Sequence, residues 1–180
     1  DEFDRVESYI AIKYGSSKNY ANGTKNYLNS NSEVIWDANR NAAFRYNIAG
    51  IARDDKGGLN QKQAWSTHSA NEILISTLGL ANNNGENQVR LERNQFLLWG
   101  DNGKPKKPTF YMVNRAAEHI NFRFEAIWKV QNTNQVGTVR VAWPRSNRNF
   151  SLLQSNDPTF ENIQTITPMD QIIRINGKEY

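Results

Sequence analysis

Apolar residues recur at helical spacing once in this chain, at Phe3, Val6, Ile10 and Tyr14, with Tyr9 and Ile12 beside the stripe. That period predicts a helix over 3–14. Asp1 and Asp4 suit its start and Gly15 its C-terminal cap. Elsewhere the pattern is short and strand-like. Strands are expected at 33–36, 47–53, 72–80, 95–99, 109–113, 150–153 and 171–175, and within 59–69 through Ala64 and Trp65. The clearest alternation is Phe122, Phe124, Ala126, Trp128 and Val130 against Arg123, Glu125, Lys129 and Gln131. Ile127 interrupts it, as a bulge or two-sided burial would. Val139, Val141 and Trp143 share one face of a second run over 136–143. These two runs, joined by 132–135, are expected to form a hairpin. Asn176-Gly177 predicts a type I′ turn with a brief final strand.

The remaining segments are polar. Residues 16–32 read as an ordered loop with an Asn22-Gly23 turn. Residues 38–46 stay open between helical turn and loop, 82–87 is an Asn-rich loop, and 115–119 suits a helical turn. Nine or ten strands against one helix predict a mainly β chain, an antiparallel β-sandwich or jelly-roll-like domain with one N-terminal helix. No internal repeat is present.

Composition sharpens this picture. Only 38% of residues are hydrophobic and the mean hydropathy is −0.76, so the surface must be strongly polar. Asn supplies 25 of the 180 residues and Gly another 11, which favours tight turns. The absence of Cys excludes thiol catalysis, Cys-based zinc sites and a disulfide scaffold. His68 and His119 are the only histidines, which gives poor support to zinc or Ser-His-Asp chemistry. The net charge of +4 reads as a mildly basic solvated surface, and no nucleic-acid partner is expected. No apolar run approaches the roughly 20 residues of a membrane span. With neither an initiator Met nor a signal peptide, the chain is expected to be excised from a longer protein.

Two runs draw attention as candidate chemistry. Ile48 and Ile51 flank Gly50, and the strand then breaks into Asp54-Asp55-Lys56-Gly57-Gly58 and the amide-rich Asn60, Gln61 and Gln63. Phe96-Leu97-Leu98-Trp99 likewise ends in Gly100-Asp101-Asn102-Gly103. Asp54, Asp55, Asn60, Gln61, Gln63 and Asp101 are expected at one end of the sandwich, holding loops through side-chain-to-backbone hydrogen bonds. Three ligand chemistries compete with turn capping. Asp37, Asn39 and Asn41 offer alternate oxygens that Asp54, Asp55 and Asp101 could join around Ca²⁺, although the Gly and terminal Glu of an EF-hand are missing. Trp65, beside Asp54, Asp55, Asn60, Gln61, Gln63, Asp101 and Asn102, could present a ring and amides to a sugar. Trp128 and Trp143 read as core. Pairs among Asp54, Asp55, Asp101, Glu118 and Glu125 would suit glycoside hydrolysis only at a separation that sequence does not give. The run Lys104-Pro105-Lys106-Lys107 reads as a solvated connector, and Asp157-Pro158 as a turn rather than a self-cleaving bond.

Several runs carry a resemblance: 6–15, Val34-Ile35-Trp36-Asp37, 48–55, 58–63, Leu98-Trp99-Gly100-Asp101-Asn102-Gly103 and Trp128-Lys129-Val130-Gln131. Together they resemble an uncharacterised domain of large bacterial, Bacteroidetes-type surface proteins. In those proteins it follows a concanavalin-A/laminin-G-like lectin domain. Ala52, where Gly is more usual, and Trp65 depart from that pattern. The resemblance implies that 1–15 is the tail of a preceding lectin-like domain and 16–180 a β-rich surface-protein domain. It also implies an extracellular, cell-surface location. The leading expectation is therefore a non-catalytic adhesin-like module without a cofactor, which supports neighbouring domains or displays a ligand. The alternatives are a module that binds glycans or host-surface ligands, and a polysaccharide hydrolase.

Overall fold

The computed structural model describes residues 2–18, 25–68, 73–111 and 120–180. In chain order its elements are α1 (Glu2–Tyr14), β1 (Tyr27–Leu28), β2 (Val34–Trp36), a 3₁₀ turn (Ala42–Phe44), β3 (Tyr46–Asp54), β4 (Leu59–Gln61), β5 (Gln63–Trp65), β6 (Leu74–Ser76), β7 (Gln95–Asp101), β8 (Pro108–Tyr111), β9 (Phe122–Phe124), β10 (Trp128–Thr133), β11 (Arg140–Ala142), β12 (Ser151–Ser155), β13 (Ile163–Pro168), β14 (Arg174–Ile175) and β15 (Lys178–Glu179). The chain is mainly β, with several antiparallel sheets and a single N-terminal α-helix among the described residues. It divides into two compact units, Asp1–Gly103 with Trp128–Trp143, and Lys104–Ile127 with Pro144–Tyr180.

The first unit is built around β7. A four-stranded sheet runs β10-β7-β3-β4 and a three-stranded sheet β11-β6-β5. Successive side chains of a strand point to opposite faces. Phe96 and Leu98 of β7 therefore enter one apolar cluster with Ile48 and Ala52 of β3, while Leu97 and Trp99 enter another with Ala49 and Ile51. The first cluster is closed by Ala11 and Ile12 of α1, by Tyr27, Ile35 and Trp36 of the β1–β2 pair, and by Leu59. The second lies against Ala64 and Ile75 of the three-stranded sheet and Val136. β7 is thus buried on both faces, which explains its unbroken apolar run. Each such side chain contributes about 1.5–3 kcal/mol of burial. Gly100 is required here, because a Cβ would lie 2.2 Å from the Phe44 carbonyl oxygen.

The helix corrects the simplest reading of its pattern. Phe3, Val6, Ile10 and Tyr14, the predicted apolar stripe, are 63, 51, 45 and 60% exposed. The buried face is Ser8, Ala11 and Ile12. Polar stitches fix this rotation. Ser8 Oγ accepts the Leu28 amide at 2.9 Å and donates to the Asp4 carbonyl at 2.6 Å. The Lys18 ammonium, almost fully buried, donates to Ser8 Oγ and to the carbonyls of Asp4 and Asn26. It also pairs with the carboxylates of Asp4 at 3.3 Å and Glu7 at 3.7 Å. The Lys18 hydrogen bond holds the Asp4 carboxyl below its usual range, with Lys25 assisting. Gly15 (φ +63°) ends the helix, and its carbonyl accepts from Thr67 N and Oγ1.

The expected 122–143 hairpin does not form. The alternating run 122–131 is cut at 125–127, leaving β9 in the second unit and β10 in the first. β10 pairs with β7, Trp128 opposite Asp101 and Thr133 opposite Phe96. β11 pairs with β6. Asn134 and Gln135 both take positive φ, and the Asn132 amide bonds the Val136 N–H and carbonyl, so the link redirects the chain instead of reversing it. Trp128 and Trp143 still meet edge-to-face, with centroids 5.9 Å apart, against the second cluster. The open segment 38–46 contains the 3₁₀ turn, and 59–69 contains two short strands. The Asn22-Gly23 turn and the turn expected at 115–119 lie outside the described residues.

The second unit consists of the pairs β8–β9, β12–β13 and β14–β15. Asn176 (φ 49°) and Gly177 (φ 79°) make the left-handed pair that a type I′ turn needs. Glu179 bonds Arg174 and Arg145, which depress its carboxyl in that order. β12 matches a predicted strand; β13 was not anticipated.

Candidate functional site

Asp54 ends β3, and both of its oxygens are used. Oδ2 accepts the Ser30 amide at 2.7 Å; Oδ1 accepts Ser30 Oγ at 2.6 Å and the Gly57 amide at 3.2 Å. The side chain ties the β3–β4 turn to the end of β1 and is 4% exposed. Asp101 does the same at the end of β7, accepting Asn47 Nδ2 at 2.7 Å and the Gly103 amide at 2.8 Å, and is 1% exposed. Asn47 sits at φ 53° within a bulge of the β3–β7 register. Both carboxylates hold loops through local donors, as expected of turn residues.

They do not share one end of the sheet. Asp101 pairs with Tyr46, whereas Asp54 lies eight residues further along β3. At about 3.3 Å per residue, roughly 26 Å separates them. The expected single polar cluster is therefore two, one at each end of β3 and β7. The proposed calcium donors divide accordingly. Asp37 Oδ1 accepts the Asn39 and Arg40 amides, while Asn41 Nδ2 and the Asp37 amide both donate to Gln131 Oε1 on β10. Asp55 is exposed, forms a two-point pair with Arg53 at 2.8 and 3.1 Å, and meets Arg93 at 2.9 Å. The Arg53 hydrogen bond holds its carboxyl below the usual range. Among the described residues no group of three or more His, Cys, Asp or Glu is placed to hold a metal ion.

The amide cluster is likewise internal. Gln63 is buried, donating to the Ala81 carbonyl at 2.8 Å and accepting the Ala81 amide at 3.1 Å. Gln61 Nε2 donates to the Gln63 carbonyl at 2.8 Å, and the exposed Asn60 gives its carbonyl to Asn84 Nδ2. Trp65 is half-buried on β5, where it pairs with Leu74, rather than forming an exposed ring. Asn102 is half-buried beside the Asp101 turn. Of the hydrolase candidates, Asp54 and Asp55 lie an entire strand from Asp101, and Glu118 lies outside the described residues. Glu125 belongs to the second unit and accepts Thr109 Oγ1 at 3.0 Å. Lys104 and Lys107 are exposed and Lys106 half-buried. Asp157 accepts from Thr159 Oγ1, the Thr159 and Asn162 amides, and Ser155 Oγ. These donors, Thr159 foremost, hold its carboxyl far below the usual range.

Sequence reasoning missed a buried polar network around Lys62 and Asn87. Lys62 Nζ donates to the Asn87 carbonyl, while the Lys62 amide donates to Asn84 Oδ1 at 2.6 Å. Asn87 Oδ1 accepts Thr77 Oγ1 and the Val89 amide; Asn87 Nδ2 reaches the Lys62 carbonyl and Gln63 Oε1. The Asn-rich 82–87 loop is thereby sewn to β5 and β6. Gly79 leaves the necessary room, since a Cβ there would stand 2.4 Å from Asn87 Oδ1. The signal was the run of Asn itself, whose amides pair with backbone groups.

It also missed a cleft of about 490 Å³ between α1 and the four-stranded sheet. Ile12, Ile35, Leu59 and Phe96 form its floor and Tyr9 part of a wall; Arg5 and Lys56 stand at the mouth with Glu2 and Ser30. No sequence signal marks it, because its residues are scattered from position 2 to position 96. No helix among the described residues is long and apolar enough to cross a membrane.

A family model described as a domain of unknown function, DUF8202, matches residues 2–179. No curated protein and no solved structure matches the chain.

Proposed function

From the premise that this chain belongs to the DUF8202 family, whose function is unknown, we propose that it is a non-catalytic structural module of an extracellular bacterial surface protein, supporting the domains beside it. The observation that carries this reading is the use of its polar residues. Asp54, Gln63, Asn87 and Asp101, the buried groups nearest to a site, direct their hydrogen bonds at loops of the same unit. These four groups are already occupied in holding turns. The surface-protein setting is supported by the resemblance of the runs 48–55 and 98–103, which form most of β3 and the end of β7.

Replacing both Asp54 and Asp101 with Ala tests the reading. Each substitution leaves buried donors without acceptors, at about 1–3 kcal/mol per donor. The melting temperature of the double variant is expected to fall by about 10 °C or more. The wild-type midpoint should be the same in EDTA and in excess Ca²⁺. An unchanged midpoint in the variant, a calcium-dependent rise of several degrees in the wild type, or saturable binding on a glycan panel would overturn the scaffold reading.

A further inference from the structure

The cleft between α1 and the sheet is not explained by scaffolding. Its volume of about 490 Å³ falls in the range of small-molecule sites, and it opens to solvent. Its floor is the first core cluster itself: Ile12, Ile35, Leu59 and Phe96 are each 5% exposed or less.

The mouth is polar, and among the described residues its cations lack counter-ions. Arg5 carries five N–H donors, and among the described residues only one of them bonds, NH1 to the Ser30 carbonyl at 3.0 Å. Arg5 Nε is buried with no acceptor. Lys56 Nζ meets a neutral partner, Asn31 Oδ1, at 3.0 Å. Neither cation has a carboxylate within ion-pair distance among the described residues. Two acidic residues also line the cleft, but Asp54 is saturated by Ser30 and Gly57, and Glu2 lies on the exposed first turn of α1.

From these observations we infer that the cleft binds a small molecule with an aliphatic body and a single carboxylate. The body would lie along Val6, Tyr9 and Leu28, the apolar lining residues that keep accessible surface, and the carboxylate would meet Arg5 and Lys56. A charge-assisted bond to a guanidinium is among the stronger polar contacts a protein makes. The unpaired Arg5 donors are what a headgroup would satisfy. This goes beyond the scaffold reading, which requires no ligand and stands or falls separately on the Asp54 and Asp101 variants.

Sodium octanoate is the probe, with 1-octanol as its uncharged counterpart, each titrated into the full chain and followed by NMR shifts of the Tyr9 ring and the Leu28 methyls. Octanoate should give saturable shifts confined to residues lining the cleft. Arg5→Gln should weaken octanoate about tenfold or more while leaving octanol unchanged. Val6→Trp places a ring across the mouth from a half-exposed position. It should abolish both titrations while the melting temperature holds, which separates blockage from unfolding. Shifts that never saturate, shifts scattered over the surface, or equal octanoate binding by wild type and Arg5→Gln would overturn the assignment.

Discussion

The β3–β7 pair of the first unit and the β12–β13 pair of the second use the same antiparallel ladder and are held in different ways. β7 is buried along six of its seven residues, Phe96–Asp101, with both faces packed against apolar clusters. β12 and β13 contain no fully buried residue. Their register is kept by a turn in which Asp157 gathers donors from Ser155, Thr159 and Asn162. The first pair draws its stability from burial and uses Asp54 and Asp101 only to finish its ends. The second has little burial to draw on, so its turn carries the specification. An isolated two-stranded hairpin is marginal in water, which makes the chemistry of that turn decisive locally.

The largest break in this contrast is expected from Gly100→Ala. The added methyl would collide with the Phe44 carbonyl and crowd Ile48 Cγ1 at 3.0 Å. A backbone oxygen cannot rotate away, so β7 or the 3₁₀ turn must shift. Overpacking of this kind costs about 1–3 kcal/mol, occasionally more. The measurement is the denaturation midpoint of the whole chain. A loss below about 0.5 kcal/mol would show that the centre of the first unit yields more readily than its close packing implies.

A smaller and differently distributed effect is expected from acid. The carboxyls of Asp4, Asp55, Asp157 and Glu179 all titrate below their ordinary values, each chiefly through a hydrogen bond, from Lys18, Arg53, Thr159 and Arg174 respectively. A depressed folded value gives stability that is complete above the unfolded value, about 4. It is lost as pH falls through the folded value. Stability should therefore decline below about pH 4. Burial raises the Tyr27 phenol, so a second decline should begin above about pH 10. Thermal midpoints across that range test both signs. A rise in stability on acidification would contradict the assignment of these hydrogen bonds.

Much of the first unit was legible. A continuous apolar run such as 96–99 can only be a strand buried on both faces or a helix segment, and Gly100 and Asp101 mark its end. Asn176-Gly177 likewise named its own turn. Asp54 and Asp101 were readable as caps, because Asp beside Gly pairs with local amides. Strand partners were not readable. Alternation in 122–131 specifies a half-buried strand without saying which neighbour supplies the ladder, and β10 lies beside β7 rather than β11. Nor does period fix the rotation of α1. Four large side chains at helical spacing outweighed Ser8 in the pattern, yet the contacts of Ser8 and Lys18 turned the stripe outward. Buried lysines such as Lys18 and Lys62 leave no trace in a pattern that treats Lys as solvent-facing. The cleft is a property of how α1 and β4 approach one another, which local sequence does not encode.

Asp157→Ala should have the most confined effect. Its carboxylate is the common acceptor for the Thr159 and Asn162 amides, and Phe160 sits at φ 62° inside the same loop, a conformation that a phenylalanine adopts only when its surroundings hold it there. Without the carboxylate the loop loses its centre, and the β12–β13 ladder has few buried side chains to keep its register. Amide exchange at Thr159 and Asn162 should accelerate and limited proteolysis should cut within 155–162, while the unfolding midpoint of the first unit stays where it was. Asp157→Asn, which keeps one acceptor oxygen, should lie between Ala and wild type in both measurements. Were Asp157→Ala to lower the midpoint of the first unit as well, the hairpin would be contributing to a core in which none of its residues is fully buried, and the contrast between burial and turn chemistry would fail.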